Sequence, residues 1–383
     1  MTLISKEQTL LFQNEELENL PSPKSEVLFL NKERFIQLLM AAARDSKDIQ
    51  QLRVFIEKLN INLSGYKEDN LGVLNITANG ETLGVNPKYL NRQIKQIYQS
   101  KTLERAVYYI NRLVKSLTQI KSGKINDLNL NQWKEYEDII TDSLWILNRR
   151  DNSGVHTSEY WGNFIPQIPN QMMRRFTKKG DWVLDTFLGC GTTLIECQRL
   201  GRNGIGIEIQ KNIAKRAKEL LQKEPNKYKV ILEVVEGDST TIDYEQLLKK
   251  YGLRKIQHII MHPPYHDIIR FSNDSRDLSN TKTVEEFLEK MSEVVRRAGR
   301  VLEKDRYLVL VIGDKYSKGE WVPLGFLTMN EVLKAGFSLK SIIVKNFEET
   351  LGKRNQKELW RYRALVGGFY VFKHEYIFLF RKK

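Results

Sequence analysis

The sequence predicts an α/β chain: a doubly wound, Rossmann-like parallel sheet over residues 151–383, preceded by a mostly helical region over 1–150. Three observations predict it. From about Gly180, short apolar runs alternate with longer amphipathic stretches, as in a parallel sheet covered by helices on both faces. The first of these runs passes straight into a glycine-rich turn and then a helix. Upstream, apolar residues recur at helical spacing instead.

Taking the elements in order, Lys32 to Leu63 carries Phe35, Leu38, Leu39, Leu52, Val54, Phe55 and Leu59 three to four residues apart within each half, which predicts helix. GVLNITANGETLGV is β-rich around Asn79-Gly80, a hairpin signal. A second helical stretch is expected from Pro87, suited to a first turn, to Ile120. The alternating part reads WVLDTF, helix, GIGIEI, Lys-rich helix, KVILEVVEGD, short helix, IQHIIMHPPY, long helix, RYLVLVIGD, helix, SIIVKN and FYVFKHEYIFLF. The last two runs, joined by no clear helix, are expected to form an antiparallel edge.

The 383 residues are enough for two domains, and the residue balance is that of a globular protein. No apolar run reaches the length of a membrane span, and the first residues lack the apolar core of a signal peptide. Cys190 and Cys197 are too few for a disulfide scaffold and form no CxxC pair, so no metal site is expected. A cytoplasmic protein is the expectation. The net charge of +14 favours encounter with a polyanion.

The strand ending at Asp185 runs into Thr186-Phe187-Leu188-Gly189-Cys190-Gly191-Thr192-Thr193, with Thr192 and Thr193 as candidate helix caps. The next strand ends at Glu208, placed to accept from ribose hydroxyls, and a third ends at Asp238-Ser239. A tight turn without ligand is the alternative for the loop alone. Three successive acidic strand ends speak instead for a cofactor with a cationic end. No phosphate-binding P-loop is present.

VLDTFLGCGTTLIE followed by GIGIEI resembles the cofactor motifs of the DNA amino-methyltransferases, which act on cytosine N4 or adenine N6; their pattern reads VLDPF-GxGTT with an acid after the next strand. Ser158 to Pro169 is similar to the family segment just upstream, with Phe164, Ile165 and Pro166 beside the cofactor. The resemblance covers roughly Thr157 to Lys383 and implies a class I methyltransferase sheet and S-adenosyl-L-methionine as cofactor. It places Asp185, Phe187, Gly189 and Gly191 at the methionine end, Glu208 at the ribose, and Asp238 and Ser239 near the adenine, with Thr192 also among the cofactor-binding residues. Cys190 stands where the family often has Ser, and Thr186 where it has Pro.

The strand Ile256 to Met261 ends in His262-Pro263-Pro264-Tyr265. Two prolines stiffen the backbone and leave its carbonyls few directions. An exocyclic amino group is a poor nucleophile until acceptors hold its protons and free the lone pair. The tetrapeptide resembles the family's (Asp/Asn/Ser)-Pro-Pro-(Tyr/Phe/Trp), with His262 at the acceptor position; only neutral imidazole can accept. Tyr265 would stack on an extruded base. A plain strand-end turn is the alternative. Asp267 and Phe271 are secondary substrate candidates, or the start of the next helix, and Asp314 is a support residue or a turn former.

Between Pro87 and Lys124 nine basic residues, including Lys88, Arg92 and Lys95, face one acid, Glu104, with four tyrosines interleaved. A second basic group, Lys353, Arg354, Lys357, Arg361 and Arg363, surrounds Trp360 and Tyr362. Either could read the target; the N-terminal region is the favoured recognition domain. The expected partners are double-stranded DNA and a cognate restriction endonuclease, in a restriction-modification setting, with cytosine N4 preferred over adenine N6. An RNA (tRNA) base amino-methyltransferase and a catalytically silent, cofactor-sensing nucleic-acid binder are the alternatives. If the N-terminal charges meet phosphates, replacing Lys88, Arg92 and Lys95 by Gln flattens the slope of log K against log salt by up to about 0.9 per contact. An unchanged slope in a titration with duplex DNA would remove them from the interface.

Overall fold

The computed structural model describes residues 27–63, 69–74, 81–157, 160, 162–347 and 357–383. The Asn79-Gly80 turn, Ser158, Glu159, Trp161, Lys353 and Arg354 lie outside the described residues. Contacts divide the chain into two units, one running to Ser122 plus Asn129–Glu137 and one holding Gly123–Leu128 plus Asp138–Lys383. The boundary placed at 150 from the sequence falls inside the second unit.

In the first unit, β1 (Leu28–Asn31) leads into α1 (Lys32–Asp45) and α2 (Ile49–Leu63), followed by β2 (Thr82–Val85), α3 (Pro87–Tyr98) and α4 (Leu103–Thr118). The two expected helical stretches are therefore four helices, each broken by a short polar link. Asn31, Asn86 and Thr102 accept backbone N–H groups at the starts of α1, α3 and α4, which fixes where those helices begin. Pro87 opens α3 as expected. β2 pairs antiparallel with β1, Leu28 opposite Val85. Phe35, Leu39, Leu52, Ile56, Leu90 and Ile110 meet in the core of this unit.

The second unit is the doubly wound sheet. Its elements are β3 (Leu144–Trp145), α5 (Gln167–Phe176), β4 (Trp182–Asp185), α6 (Thr192–Leu200), β5 (Asn203–Glu208), α7 (Lys211–Lys223), β6 (Leu232–Glu236), α8 (Tyr244–Lys249) and β7 (Ile256–Met261). Then come α9 (Val284–Val301), β8 (Leu302–Ile312), β9 (Lys315–Ser317), β10 (Glu320–Val322), α10 (Leu324–Lys334), β11 (Phe337–Asn346), α11 (Lys357–Gly367) and β12 (His374–Lys382). The eight-stranded sheet has the order β3-β11-β12-β8-β7-β4-β5-β6. Strands β4 to β8 pair in parallel, and β12 is antiparallel to both neighbours.

Alternation along the strands explains why both faces are covered. Leu184, Ile259, Met261, Leu308, Leu310 and Phe378 point into one core with residues of α8, α9 and α10. Val183, Ile260, Val309, Val311, Ile377 and Leu379 point into the other with residues of α5, α6 and α7. A strand buried on both sides reads as a continuous apolar run, which is how these strands showed in the sequence.

Two expectations are corrected. The final antiparallel pair is not a sheet edge: β12 inserts between β8 and β11, and β3 covers the outer side of β11. A helix, α11, does lie between the last two strands. Its run of Trp, Tyr and Arg lacks an apolar stripe and so hid from a periodicity search.

Gly206 on β5 packs beneath the loop that follows β4; a Cβ there would lie 2.6 Å from Leu188 Cδ1 and Cδ2. Gly206→Ala is expected to cost about 1–3 kcal/mol by overpacking. Chemical denaturation measures it, and an unchanged midpoint would mean that Leu188 does not rest on β5.

Candidate active site

The carboxyl ends of β4, β5, β6, β7 and β8 open onto one cavity of about 790 Å³. Phe164, Ile165, Phe187, Gly189, Glu208, Asp238 and Ser239 line it, and so do His262, Pro263, Pro264, Tyr265 and Phe271. The sequence motifs thus share one space. Pro166, Asp185, Gly191, Thr192 and Asp267 do not line it. Lys88, Arg92 and Lys95 belong to the first unit, where Arg92 is paired with Glu137 and contacts the Lys134 carbonyl at 3.4 Å.

Asp185 braces the glycine-rich loop from below. It is fully buried and accepts from the Phe187 N–H at 2.9 Å and from the Thr193 hydroxyl. Burial pushes its carboxyl up to about 6. Gly191, at φ +91°, is the residue before α6, so neither Thr192 nor Thr193 caps that helix; Thr193 serves Asp185 instead. The left-handed backbone at Gly189 (φ +55°) and Gly191 explains both glycines.

Glu208 accepts from the Gly189 and Gln210 N–H groups, each at 2.9 Å, and so ties β5 to the loop. Burial pushes it up to about 7. Asp238 accepts from the Thr240 N–H at 2.8 Å and its hydroxyl at 2.7 Å. Ser239 donates its hydroxyl to the Thr186 carbonyl at 2.5 Å. A further acid, Asp277, lines the same cavity and accepts from Ser272 and Ser279.

Arg150 fixes the upstream segment by donating to the Thr157, Asn163 and Phe164 carbonyls at 3.0–3.1 Å. Phe164 in turn packs its ring 4.9 Å from the His262 imidazole. Tyr160 and Phe271 meet above Gly162 and Gly189, where a Cβ would crowd one ring or the other.

At the end of β7, a chain of polar contacts sets the state of His262. Lys345 on β11 and Glu375 on β12 are register partners, and Lys345 donates to Glu375 Oε1 at 2.8 Å. The Tyr265 hydroxyl donates to Glu375 Oε2 at 2.8 Å. Its one proton is thereby committed. The 3.3 Å contact between His262 Nε2 and the Tyr265 oxygen then requires the proton on Nε2, which leaves Nδ1 as the acceptor of the ring. Burial pushes His262 down to about 4, with Lys345 adding to the shift and Glu375 opposing it, so the imidazole is neutral near pH 7. Burial raises Glu375, yet Lys345, His262 and Tyr265 outweigh it and hold the carboxyl below its ordinary value.

The Tyr265 ring lies against Gly313 at the end of β8, where a Cβ would come within 2.9 Å of Cε2. Asp314 next to it is a support: it accepts from the Gly325 N–H, Trp321 Nε1 and the Tyr376 hydroxyl at 2.9–3.2 Å. Asp267 does not start a helix. It lies in a single turn, His266–Ile268, and pairs with buried Lys315. Lys315 also contacts His266 Nδ1 at 2.8 Å, and His266 Nε2 contacts the Thr281 carbonyl at 3.1 Å.

Sequence reasoning missed Arg150, Tyr160, Asp277, Lys315, Lys345 and Glu375. The last two gave little local signal, since each lies next to the end of a strand that holds other polar residues. Among the described residues, no cluster of His, Cys, Asp and Glu could hold a metal ion, and no helix is long and apolar enough to cross a membrane.

The chain matches the family described as DNA methylase, of the N6/N4 type, over residues 33–219 and 256–383. Type II methyltransferase M.MjaII of Methanocaldococcus jannaschii is 33% identical over 111 residues, 26% of this chain and 21% of that protein. Type II methyltransferase M2.DpnII of Streptococcus pneumoniae is 36% identical over 100 residues, 25% of this chain and 34% of that protein. These matches span about a fifth to a third of the relatives' own length. Among solved structures, TrmN from Thermus thermophilus is similar at 16% identity, with a TM-score of 0.37, over 57% of this chain and 49% of that one. With the family match running across both the glycine-rich loop and the His262–Tyr265 tetrapeptide, the chain belongs to the N6/N4 DNA methylase family.

Proposed function

We propose that this protein transfers a methyl group from S-adenosyl-L-methionine to an exocyclic amino group of a base extruded from double-stranded DNA, as the site-specific methylase of a restriction-modification pair. One observation carries the reading: two of the acidic strand ends, Glu208 and Asp238, and the His262–Tyr265 tetrapeptide line a single cavity. The relatives named type II methyltransferases support the setting, and with it a cognate endonuclease as partner. Cytosine N4 is the preferred target.

The residues present fit the cofactor. Phe187 and Gly189 offer an apolar ring and a close backbone approach for the methionine end, Glu208 offers carboxylate lone pairs to a ribose diol, and Asp238 and Ser239 border the adenine. Asp185 and Thr193 act from beneath by holding the loop. When bound, S-adenosyl-L-methionine supplies an electrophilic methyl on a cationic sulfur.

The protein's own part is to hold the amino group. His262 Nδ1 accepts one amino proton and draws the nitrogen lone pair out of the ring system. Pro263 and Pro264 keep that acceptor and the neighbouring carbonyls at fixed directions, which spares reorganisation during transfer. The Tyr265 ring, pinned by Glu375 and Gly313, is the stacking surface for the base. Glu375 and Lys345 are positioning residues, acting on the base through Tyr265 and His262.

Transfer of tritiated methyl to mixed duplex DNA, with mass spectrometry of the nucleosides, tests the reading. N4-methylcytosine or N6-methyladenine is the expected product; incorporation into tRNA alone would overturn the DNA assignment. The positioning role predicts non-additivity: Glu375→Gln lowers kcat about tenfold in the natural background but by less in His262→Asn, whose amide has no tautomer to set and where only the hold on Tyr265 is lost. Equal losses in both backgrounds would reduce Glu375 to a structural residue.

The pH dependence separates the two parts of the cavity. Depressed His262 stays neutral until the pH falls towards about 4, so kcat is flat from pH 8 to 5. Elevated Glu208 loses its proton only through about 7, so cofactor affinity rises with pH between 6 and 8. Calorimetric titration and single-turnover rates across this range check both; an acid limb in kcat near 6.5 would show an ordinary imidazole.

A further inference from the structure

The most exposed apolar side chains of the second unit crowd around α11. Tyr362 is 65% exposed, Leu365 72%, Val366 70% and Tyr370 86%. Arg361 and Arg363 on the same helix are exposed as well. Isolated apolar residues on a surface are ordinary, but a cluster of this kind marks an interaction site.

Its position gives the cluster meaning. α11 lies on the connection between β11 and β12, the strands that carry Lys345 and Glu375. Trp360, Phe369, Tyr370 and Phe372 from this connection line the active-site cavity. Two ring contacts anchor its later part on the β9–β10 hairpin: Phe369 stacks on Tyr316 at 4.3 Å, and Phe372 meets Trp321 at 4.2 Å. Leu365 and Val366 occupy the last turn of α11, and Gly367 and Gly368 end it, the latter at φ +64°. The result is an apolar tip on an anchored base beside the cavity.

Charge selects the occupant. Residues 357–373 hold four basic side chains and one acid, Glu358. A polyanion is favoured over an acid-poor protein surface. We infer, resting on the reading of the cavity above, that α11 enters duplex DNA: Leu365 and Val366 fill the gap left by the extruded base, while Arg361 and Arg363 take the flanking phosphates. Extruding a base leaves an unstacked hole, and apolar side chains pushed between base steps are a general way of filling one. This assigns strand opening to the second unit, whatever phosphate contacts the first unit adds.

The test uses the full chain and two forms of an unmethylated duplex that the natural protein methylates: the matched site, and the same site with the target base mispaired and so already unstacked. Leu365→Ala/Val366→Ala is expected to lower kcat/KM at least tenfold on the matched duplex and less than threefold on the mispaired one. Arg361→Gln/Arg363→Gln is expected to weaken binding to both and to flatten its salt dependence. Equal losses of the wedge variant on both duplexes, or no loss on either, overturn the inference while leaving methylation by the natural protein intact. Absence of methylation of any DNA by the natural protein would overturn the underlying reading and this inference together. Sedimentation gives the remaining arm: a dimer that the wedge variant dissociates, with methylation unchanged, would assign the tip to a second copy of the chain and overturn the inference.

Discussion

The tetrapeptide end of the sheet depends on one buried carboxylate. Glu375 sits on the final strand, receives a proton from Tyr265 on one oxygen and an ammonium from Lys345 on the other, and is 9% exposed. A buried charge stays charged only when it is paired and hydrogen-bonded, and both conditions are met here by neighbours fixed in the sheet register. Because the Tyr265 proton is committed to Glu375, the imidazole of His262 has a single arrangement of its own proton. The histidine of the tetrapeptide is thereby held in one tautomer.

The other end of the cavity has the opposite electrostatics. Asp185 and Glu208 gain no cationic partner among the described contacts and are instead pushed towards their protonated forms by burial. Each is held by backbone N–H donors and, for Asp185, a hydroxyl. Such a pair stores a preference for positive charge nearby. The two halves of one cavity therefore differ in what they lack: an arriving cation at the loop end, an arriving proton donor at the tetrapeptide.

Much of this was legible in the sequence because it is local. The glycine turn, the acids at three strand ends and the two prolines sit within a few residues of the strands they terminate, and the family resemblance they carried is borne out by the family match. The doubly wound sheet was legible for the same reason: strands buried on both faces read as unbroken apolar runs. What was hidden depends on pairing between distant segments. Lys345 and Glu375 are 30 residues apart and meet only through strand register. The interior place of β12 is set by tertiary order, which no single stretch announces. The helix α11 escaped because it carries no apolar stripe: its described side chains are half-buried or exposed, with apolar and charged residues mixed.

The insertion of β12 has a consequence for biosynthesis. Strands β8 and β11 share no ladder with each other; each is paired to β12, which the ribosome makes after both. Until that strand arrives, the sheet has a gap between two apolar strands, and the carboxylate that orders Tyr265 and His262 is missing. A nascent chain thus carries the glycine-rich loop before Glu375 can order Tyr265 and His262, and its late intermediates expose strand edges that a chaperone would have to shield. The ordering of Tyr265 and His262 therefore waits on the strand that closes the sheet.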